Sequence, residues 1–419
     1  MRFAIIPVNM PVSISDIEEA RKRIETVVHR TPIVKDERLT AVLGSRIYLK
    51  TENLQRGGSF KIRGAFNKIS RLSDEERRRG VITASAGNHA QGVALAAKLN
   101  GIAATIVLPQ FAPLTKVVAT KALGARVIMQ GNTFDEAVEF SRSLEREKGL
   151  TYVHAFDDDA IIAGQGSIGL EIAEDLPNVN TIVVPIGGGG IISGIATAAK
   201  EKLQNVRIIG VQAENVAPVR RSLEAGKPVD IEHKPTIADG IAIKRPAERT
   251  LAIIRDLVDE VVEVSEDEIA EAIFHLAQNA HLVVEGAGAS GLAAIMAKKF
   301  DITPDERICA VLCGGNIDGN VLARVIEQCL VRAGRYVILD VTVPDRPGSL
   351  AGILTAVAES KANVIEVFHR RAMWMTPIGQ VGIELLLEVR DTHHADETRN
   401  ALEKAGYRVN VSATSPIAA

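Results

Sequence analysis

Aromatic side chains are scarce in this chain, making up 4% of its 419 residues with a single tryptophan. Stacking platforms for single-stranded nucleic acid need them in number, so that class is disfavoured. An excess of one charge is missing too. Lys and Arg total 49 against 52 Asp and Glu, a net charge of -3, which offers no footprint for a nucleic-acid or anionic-membrane partner. The basic run Arg77-Arg78-Arg79 follows Asp74, Glu75 and Glu76, the pattern of a solvated helix end. No apolar run is long enough to cross a bilayer, and Met1 to Met10 lacks the charged start and apolar core of a signal peptide. Only three cysteines occur, Cys309, Cys313 and Cys329, with no CxxC pair, which argues for a reducing compartment. A soluble cytoplasmic protein is the expectation.

What is present is alternation. Val81 to Ala84, Ala104 to Leu108, Arg126 to Met129, Tyr152 to Ala155, Thr181 to Ile186, Arg207 to Val211 and Ile308 to Leu312 are short apolar runs. Between them lie helical patterns such as Gln91 to Leu99, Leu114 to Leu123, Phe134 to Glu147 and Ile161 to Asp175. Continuous β-branched runs bounded by glycine or proline predict strands covered on both faces, hence a parallel, doubly wound α/β architecture. After about Arg335 the pattern changes. Val337, Leu339, Val341 and Val343 alternate, then Leu350, Ile353, Leu354 and Val357 keep helical spacing. Strands over Asn363 to Phe368 and Val381 to Val389, a helix over Ala395 to Lys404 and a strand over Arg408 to Ser412 complete a βαββαβ, ferredoxin-like unit.

Lys61 follows Gly57-Gly58-Ser59-Phe60. With Ser59 as N-cap, Lys61 falls in the first turn of a helix running through Phe66, Ile69 and Leu72. The positive end of a helix and burial both disfavour an ammonium, which is how a Schiff-base lysine is made. Gly187-Gly188-Gly189-Gly190 stands between the strand Thr181 to Ile186 and a helix over Ile191 to Leu203. Such a loop lets backbone N–H groups approach an anion, so a phosphate site is expected. A dinucleotide site is the rival, because the next strand ends in Glu214. The GxGxxG register fails at Ser193, however, and no Walker lysine follows. In Ser85-Ala86-Gly87-Asn88-His89, backbone amides, Ser85 and the Asn88 side chain can bind a carboxylate or phenolic oxygen; His89 alone reads as a packed or capping histidine. Cys313, at a strand end, would point toward the crevice where such sheets hold ligands, with a buried structural thiol as the default reading of the residue alone. Neither Cys309 nor Cys313 has the neighbours for a metal tetrahedron, so no metal is expected. Glu285 reads as a capping carboxylate or a polar group in the same pocket.

Together these pieces resemble the pyridoxal-phosphate enzymes of the tryptophan-synthase-β type, specifically the threonine/serine dehydratases. The matching segments are Ser59 to Ala65, Ser85 to Gly92, Gly187 to Gly190, Ile237 to Ala242 and Cys313 to Asn316. The tail, with Val343-Pro344-Asp345-Arg346-Pro347-Gly348-Ser349-Leu350, resembles an ACT domain. The resemblance implies fold type II, with two doubly wound α/β subdomains over residues 1–331, the smaller inserted at roughly 47–155, and an ACT-like regulatory domain over residues 335–414. It implies pyridoxal 5'-phosphate as cofactor, with Lys61 as its Schiff-base lysine and the general base. Phe60 would pack on the pyridine ring, Gly187, Gly188, Gly189 and Gly190 would hold the phosphate, Asn88 would contact the phenolic oxygen, and Cys313 would approach the ring nitrogen. Ser85, Ala86, Gly87, Asn88 and His89 would bind the substrate carboxylate. The implied reaction is dehydration and deamination of L-threonine, with L-serine as lesser substrate. A dimer or tetramer with an isoleucine or valine effector at the tail is also implied.

Serine racemase is the nearest alternative. Racemisation needs a second acid/base across the cofactor, and related racemases carry a serine where this chain has Ala86. A cation site like theirs is doubtful, since Pro218 and Arg220 fall where ligands beside Glu214 are wanted. An NAD-dependent dehydrogenase, or a non-catalytic amino-acid sensor, would leave Lys61 without a task.

Overall fold

A computed structural model describes residues 11–232, 234–370 and 377–411. The chain divides into two compact units between Asp318 and Gly319. The first contains two sheets. A six-stranded sheet runs in the order Ile33–Lys35, Arg46–Lys50, Arg307–Val311, Thr181–Pro185, Arg207–Ala213, Glu260–Val264, parallel throughout except for the Ile33–Lys35 edge. A four-stranded parallel sheet, inserted in sequence between Arg46–Lys50 and Thr181–Pro185, has the order Arg126–Met129, Ala104–Leu108, Val81–Ala84, Thr151–Tyr152. The central strands Val81–Ala84 and Thr181–Pro185 are buried at every residue, as covering on both faces requires. Three strands escaped the sequence reading: Ile33–Lys35, Arg46–Lys50 and Glu260–Val264 carry charged residues at their ends or within. The run starting at Tyr152 pairs only over Thr151–Tyr152.

The second unit opens with the helix Gly319–Arg332 and continues as strand, helix, two strands, helix and strand. Its sheet is antiparallel, in the order Asn363–Arg370, Gln380–Glu388, Tyr336–Pro344, Arg408–Val411. The alternating Val337, Leu339, Val341 and Val343 are buried with Ile353, Val357, Leu385 and Leu402, which is the expected βαββαβ core. Ser412 lies outside the described residues.

The helix Lys61–Ser70 is what positions the site. Its cap differs from the expectation: Ser59 is extended and makes no capping hydrogen bond, and the N-cap is Phe60, leaving Lys61 as the first helical residue. Tertiary bonds replace the cap. Phe60 N donates to Cys313 O (3.2 Å), Gly315 N donates to Gly58 O (2.9 Å), and Ser59 bridges Gly314. Ile62, Ala65 and Ile69, one stripe at helical spacing, pack into the core of the smaller sheet with Val93 and Ile106. The opposite stripe faces the helix Asp159–Asp175, which it meets at Gly64 and Gly164. A Cβ on Gly164 would lie 2.6 Å from the Gly64 Cα.

Next to that contact lies a buried tetrad of charges. Arg63 donates bidentately to Glu52, at 2.8 Å from both Nε and Nη2, and to Glu171 at 2.7 and 3.0 Å. Lys50 Nζ donates to Glu171 and, at 2.7 Å, to Thr31 O. All four side chains are buried. Burial works against the Glu52 carboxylate, yet the Arg63 charge and hydrogen bonds hold its pKa below the ordinary carboxylate value. Two cations offset two anions, so removing one strands a charge out of water. Arg63→Met should therefore lower stability by about 3–5 kcal/mol, read as a shift of the urea unfolding midpoint.

Candidate active site

The loops that follow four strands of the two sheets meet in one cavity of about 330 Å³. They come from the carboxyl ends of Val81–Ala84, Thr151–Tyr152, Thr181–Pro185 and Arg307–Val311, where parallel sheets place ligands. Phe60, Lys61, Ser85 to His89, Gly187 to Gly190 and Cys313, all picked from sequence, line it together.

Lys61 is half-buried at the cavity wall. Its Nζ donates to Ala155 O at 3.2 Å and lies 5.0 Å from the centre of the Phe60 ring. Desolvation pulls its pKa down to about 8, against the opposing pull of Cys313 and Glu285. The amine is thus available in neutral form near neutral pH, as a nucleophilic lysine requires.

The glycine loop is an anion cradle. Gly189 has φ +90° and precedes the helix Gly190–Lys202. On Gly188 a Cβ would fall 2.2 Å from the Phe156 ring, so side chains are excluded there. The buried N–H groups of Gly188, Gly189, Gly190 and Ile191 donate to no acceptor among the described residues. Unsatisfied donors at a helix N-terminus call for an anion. A second, separate set stands across the cavity. In the loop before the helix Asn88–Leu99, the N–H groups of Ala86, Asn88 and His89 also donate to no described acceptor, while Gly87 N donates to Ser85 Oγ at 3.2 Å.

His89 has its packed role. It is buried, its Nε2 lies 2.9 Å from Val153 O, and burial pushes its pKa to about 3, so the ring is neutral. Burial and the nearby Glu285 carboxylate push the Cys313 thiol well above its usual pKa, so it also stays neutral. Neither end of the Asn88 amide is idle: Nδ2 donates to Glu285 at 2.6 Å and Oδ1 accepts from Asn316 at 2.8 Å.

Glu285, read from sequence as a capping carboxylate or a polar group in the same pocket, makes no capping bond and lines the cavity. Burial and Asp239 raise its pKa there to about 7. Phe156 seats the glycine loop. Lys116, on the helix Leu114–Ala122, pairs with Asp239 across the cavity, and Lys244 pairs with Asp135 at 2.7 Å. These partners stand more than a hundred residues apart, beyond any local pattern.

A neutralisable amine, one donor cradle at a helix N-terminus, a second in another loop, and a neutral thiol, all lining one cavity, fit a phosphate-bearing aldehyde and an amino-acid carboxylate. The model of the family described as pyridoxal-phosphate dependent enzyme matches residues 24–314. The chain belongs to that family. Its fold is type II, its cofactor is pyridoxal phosphate, and the dinucleotide reading of Gly187 to Glu214 gives way. The L-threonine ammonia-lyase of Thermotoga maritima is 50% identical over 400 residues, covering 96% of this chain and 99% of the relative. Among solved structures, maize serine racemase matches with TM-score 0.72 at 37% identity, over 76% of this chain and 98% of that one. The processed form of threonine deaminase isoform 2 from Solanum lycopersicum matches with TM-score 0.71 at 37% identity, over 78% and 93%.

The lowered lysine pKa has a kinetic consequence. Only the neutral amine attacks an aldehyde, so capture of pyridoxal phosphate by the cofactor-free protein should speed up from pH 7 to 8 and level off above about pH 9. Stopped-flow absorbance reads the rate directly. A rise continuing to pH 10 would mark an ordinary lysine.

Proposed function

We propose that this chain is an L-threonine ammonia-lyase, eliminating water from L-threonine to give 2-oxobutanoate and ammonia, with L-serine converted to pyruvate as a lesser activity. One observation carries the reading: Lys61, its pKa pulled down to about 8, faces a cavity with two separate sets of free backbone donors. The full-length relative named above bears this activity.

In this proposal Gly187 to Gly190 hold the phosphate and Phe60 packs on the pyridine ring. Asn88 contacts the phenolic oxygen, and Cys313 sits beside the ring nitrogen. As a neutral thiol it does not impose a proton there. Bound pyridoxal phosphate supplies the electron sink that acidifies the substrate Cα proton. In the segment Ser85 to His89, the free N–H groups of Ala86, Asn88 and His89 bind the substrate carboxylate and fix the Cα–H bond toward Lys61. With its amine free, Lys61 would take that proton as general base, and the β-hydroxyl would leave as water with a proton supplied by the cofactor phosphate.

A racemase needs a further proton carrier facing Lys61 across the substrate. Ala86 lines the cavity at the candidate position and offers only a methyl group. L-threonine should therefore yield ketoacid, and L-serine should yield pyruvate without D-serine. Lys61→Ala should lose at least a hundredfold in turnover, about the lower bound for a missing general base, together with the visible absorbance of the holoenzyme. Full activity in that variant, or D-serine as main product, would overturn the reading.

The catalytic region is assigned to residues 1–331, its smaller subdomain to roughly 47–155, and an ACT-like regulatory domain to residues 335–414. The antiparallel βαββαβ sheet supports that last assignment. An isoleucine or valine effector is placed near Asp345 to Leu350, in a dimer or tetramer of a cytoplasmic enzyme. Among the described residues no helix is long and apolar enough to cross a membrane. Ending the chain after Arg335 should abolish the change in threonine KM caused by isoleucine or valine; an unchanged response would remove the assignment.

A further inference from the structure

The Asn88 amide could sit either way round, since its oxygen and nitrogen ends are nearly the same shape. Its surroundings decide. Asn316 Nδ2 donates to Gly57 O at 2.9 Å. A backbone carbonyl can only accept, so that atom of Asn316 is the nitrogen. The same nitrogen lies 2.8 Å from Asn88, which must present Oδ1 to it. Asn88 Nδ2 is then turned to the Glu285 carboxylate at 2.6 Å. One of its two hydrogens is used there, and the other remains for the cavity.

Glu285 is itself held firmly. Its backbone N donates to Gly314 O at 3.1 Å, next to Cys313, and its carboxylate fills the space that Gly314 leaves by having no side chain. A Cβ on Gly314 would come within 2.3 Å of Glu285 Oε1. An acidic side chain in this cavity has no step in the elimination described above. Its contact with Asn88 is its use.

We propose that Glu285 is a positioning residue for the cofactor. It is the terminal acceptor of the relay Gly57–Asn316–Asn88–Glu285, which fixes the Asn88 amide with one Nδ2 hydrogen toward the phenolic oxygen. A flipped amide would present Oδ1 to that oxygen, replacing a hydrogen bond by repulsion between two acceptors. This rests on the proposed contact between Asn88 and the cofactor. What it adds is that the acceptor function of Glu285, rather than its charge, is what holds the Asn88 amide and through it the bound cofactor.

The test is a double-mutant cycle on the full-length holoenzyme. It reads the dissociation constant of pyridoxal phosphate and the pH midpoint of the bound cofactor's visible band. Glu285→Ala should weaken cofactor binding about tenfold, the loss of one hydrogen bond, and move the midpoint. Glu285→Gln keeps an acceptor oxygen and should stay within about threefold of the parent. In an Asn88→Ala background, Glu285→Ala should change binding by less than about twofold. Equal damage from Glu285→Gln and Glu285→Ala would overturn the proposal, as would losses that multiply in the double variant. Should Glu285→Ala fail to fold, Asn316→Ala runs the same cycle with the same expected pattern. Failure of the underlying assignment looks different: Lys61→Ala would then keep the visible band, whatever these ratios show.

Discussion

The catalytic geometry hangs on the buried tetrad of Lys50, Glu52, Arg63 and Glu171. Arg63 is two residues beyond Lys61, so the bonds that clamp its guanidinium also fix the first turn of the lysine's helix. The clamp gathers a strand end, a short turn and the long helix Asp159–Asp175. Arginine suits this place, because its planar fork serves two carboxylates bidentately and never loses its charge. Ion pairs taken out of water add little net stability on average. What they add here is definition, since each member has one partner set and one orientation.

The electrostatics of the cavity follow from that frame. Burial alone would leave Lys61 neutral and Glu285 protonated. Their proximity works against both shifts, so each stays within reach of physiological pH rather than being locked in one form. For Cys313, burial and Glu285 outweigh the pull of Lys61, and His89 meets only like charge, so both remain neutral throughout the working range. Near neutral pH the amine and the carboxyl are therefore the groups poised to change protonation in this cavity.

Much of this was legible from sequence, for physical reasons that differ by element. The β-branched runs announced the parallel strands because complete burial removes any need for alternation. Val337 to Val343 announced a sheet covered on one side because its solvent face had to be polar. Lys61, the glycine loop and the Ser85 to His89 loop stood out since each puts chemistry at a helix N-terminus. The cap was misread because hydrogen bonds from Phe60 and Gly315 to residues some 250 positions away in the chain replaced the local one. Strands such as Glu260–Val264 hid behind their charged residues. Glu285 was seen but undervalued, as its meaning depends on Asn88 and Asn316, which only the folded chain brings near.

The contact between Gly64 and Gly164 carries a further implication for how this enzyme can vary. The placement of the amine depends on atoms that are missing: with no Cβ on either glycine, two backbones touch directly. Even a methyl would wedge the helices apart and tilt Lys61 away from both donor arrays. Substrate preference can drift through the loops that rim the cavity, but this pair leaves drift nothing to work with. A side chain at either position would meet packed backbone rather than open space.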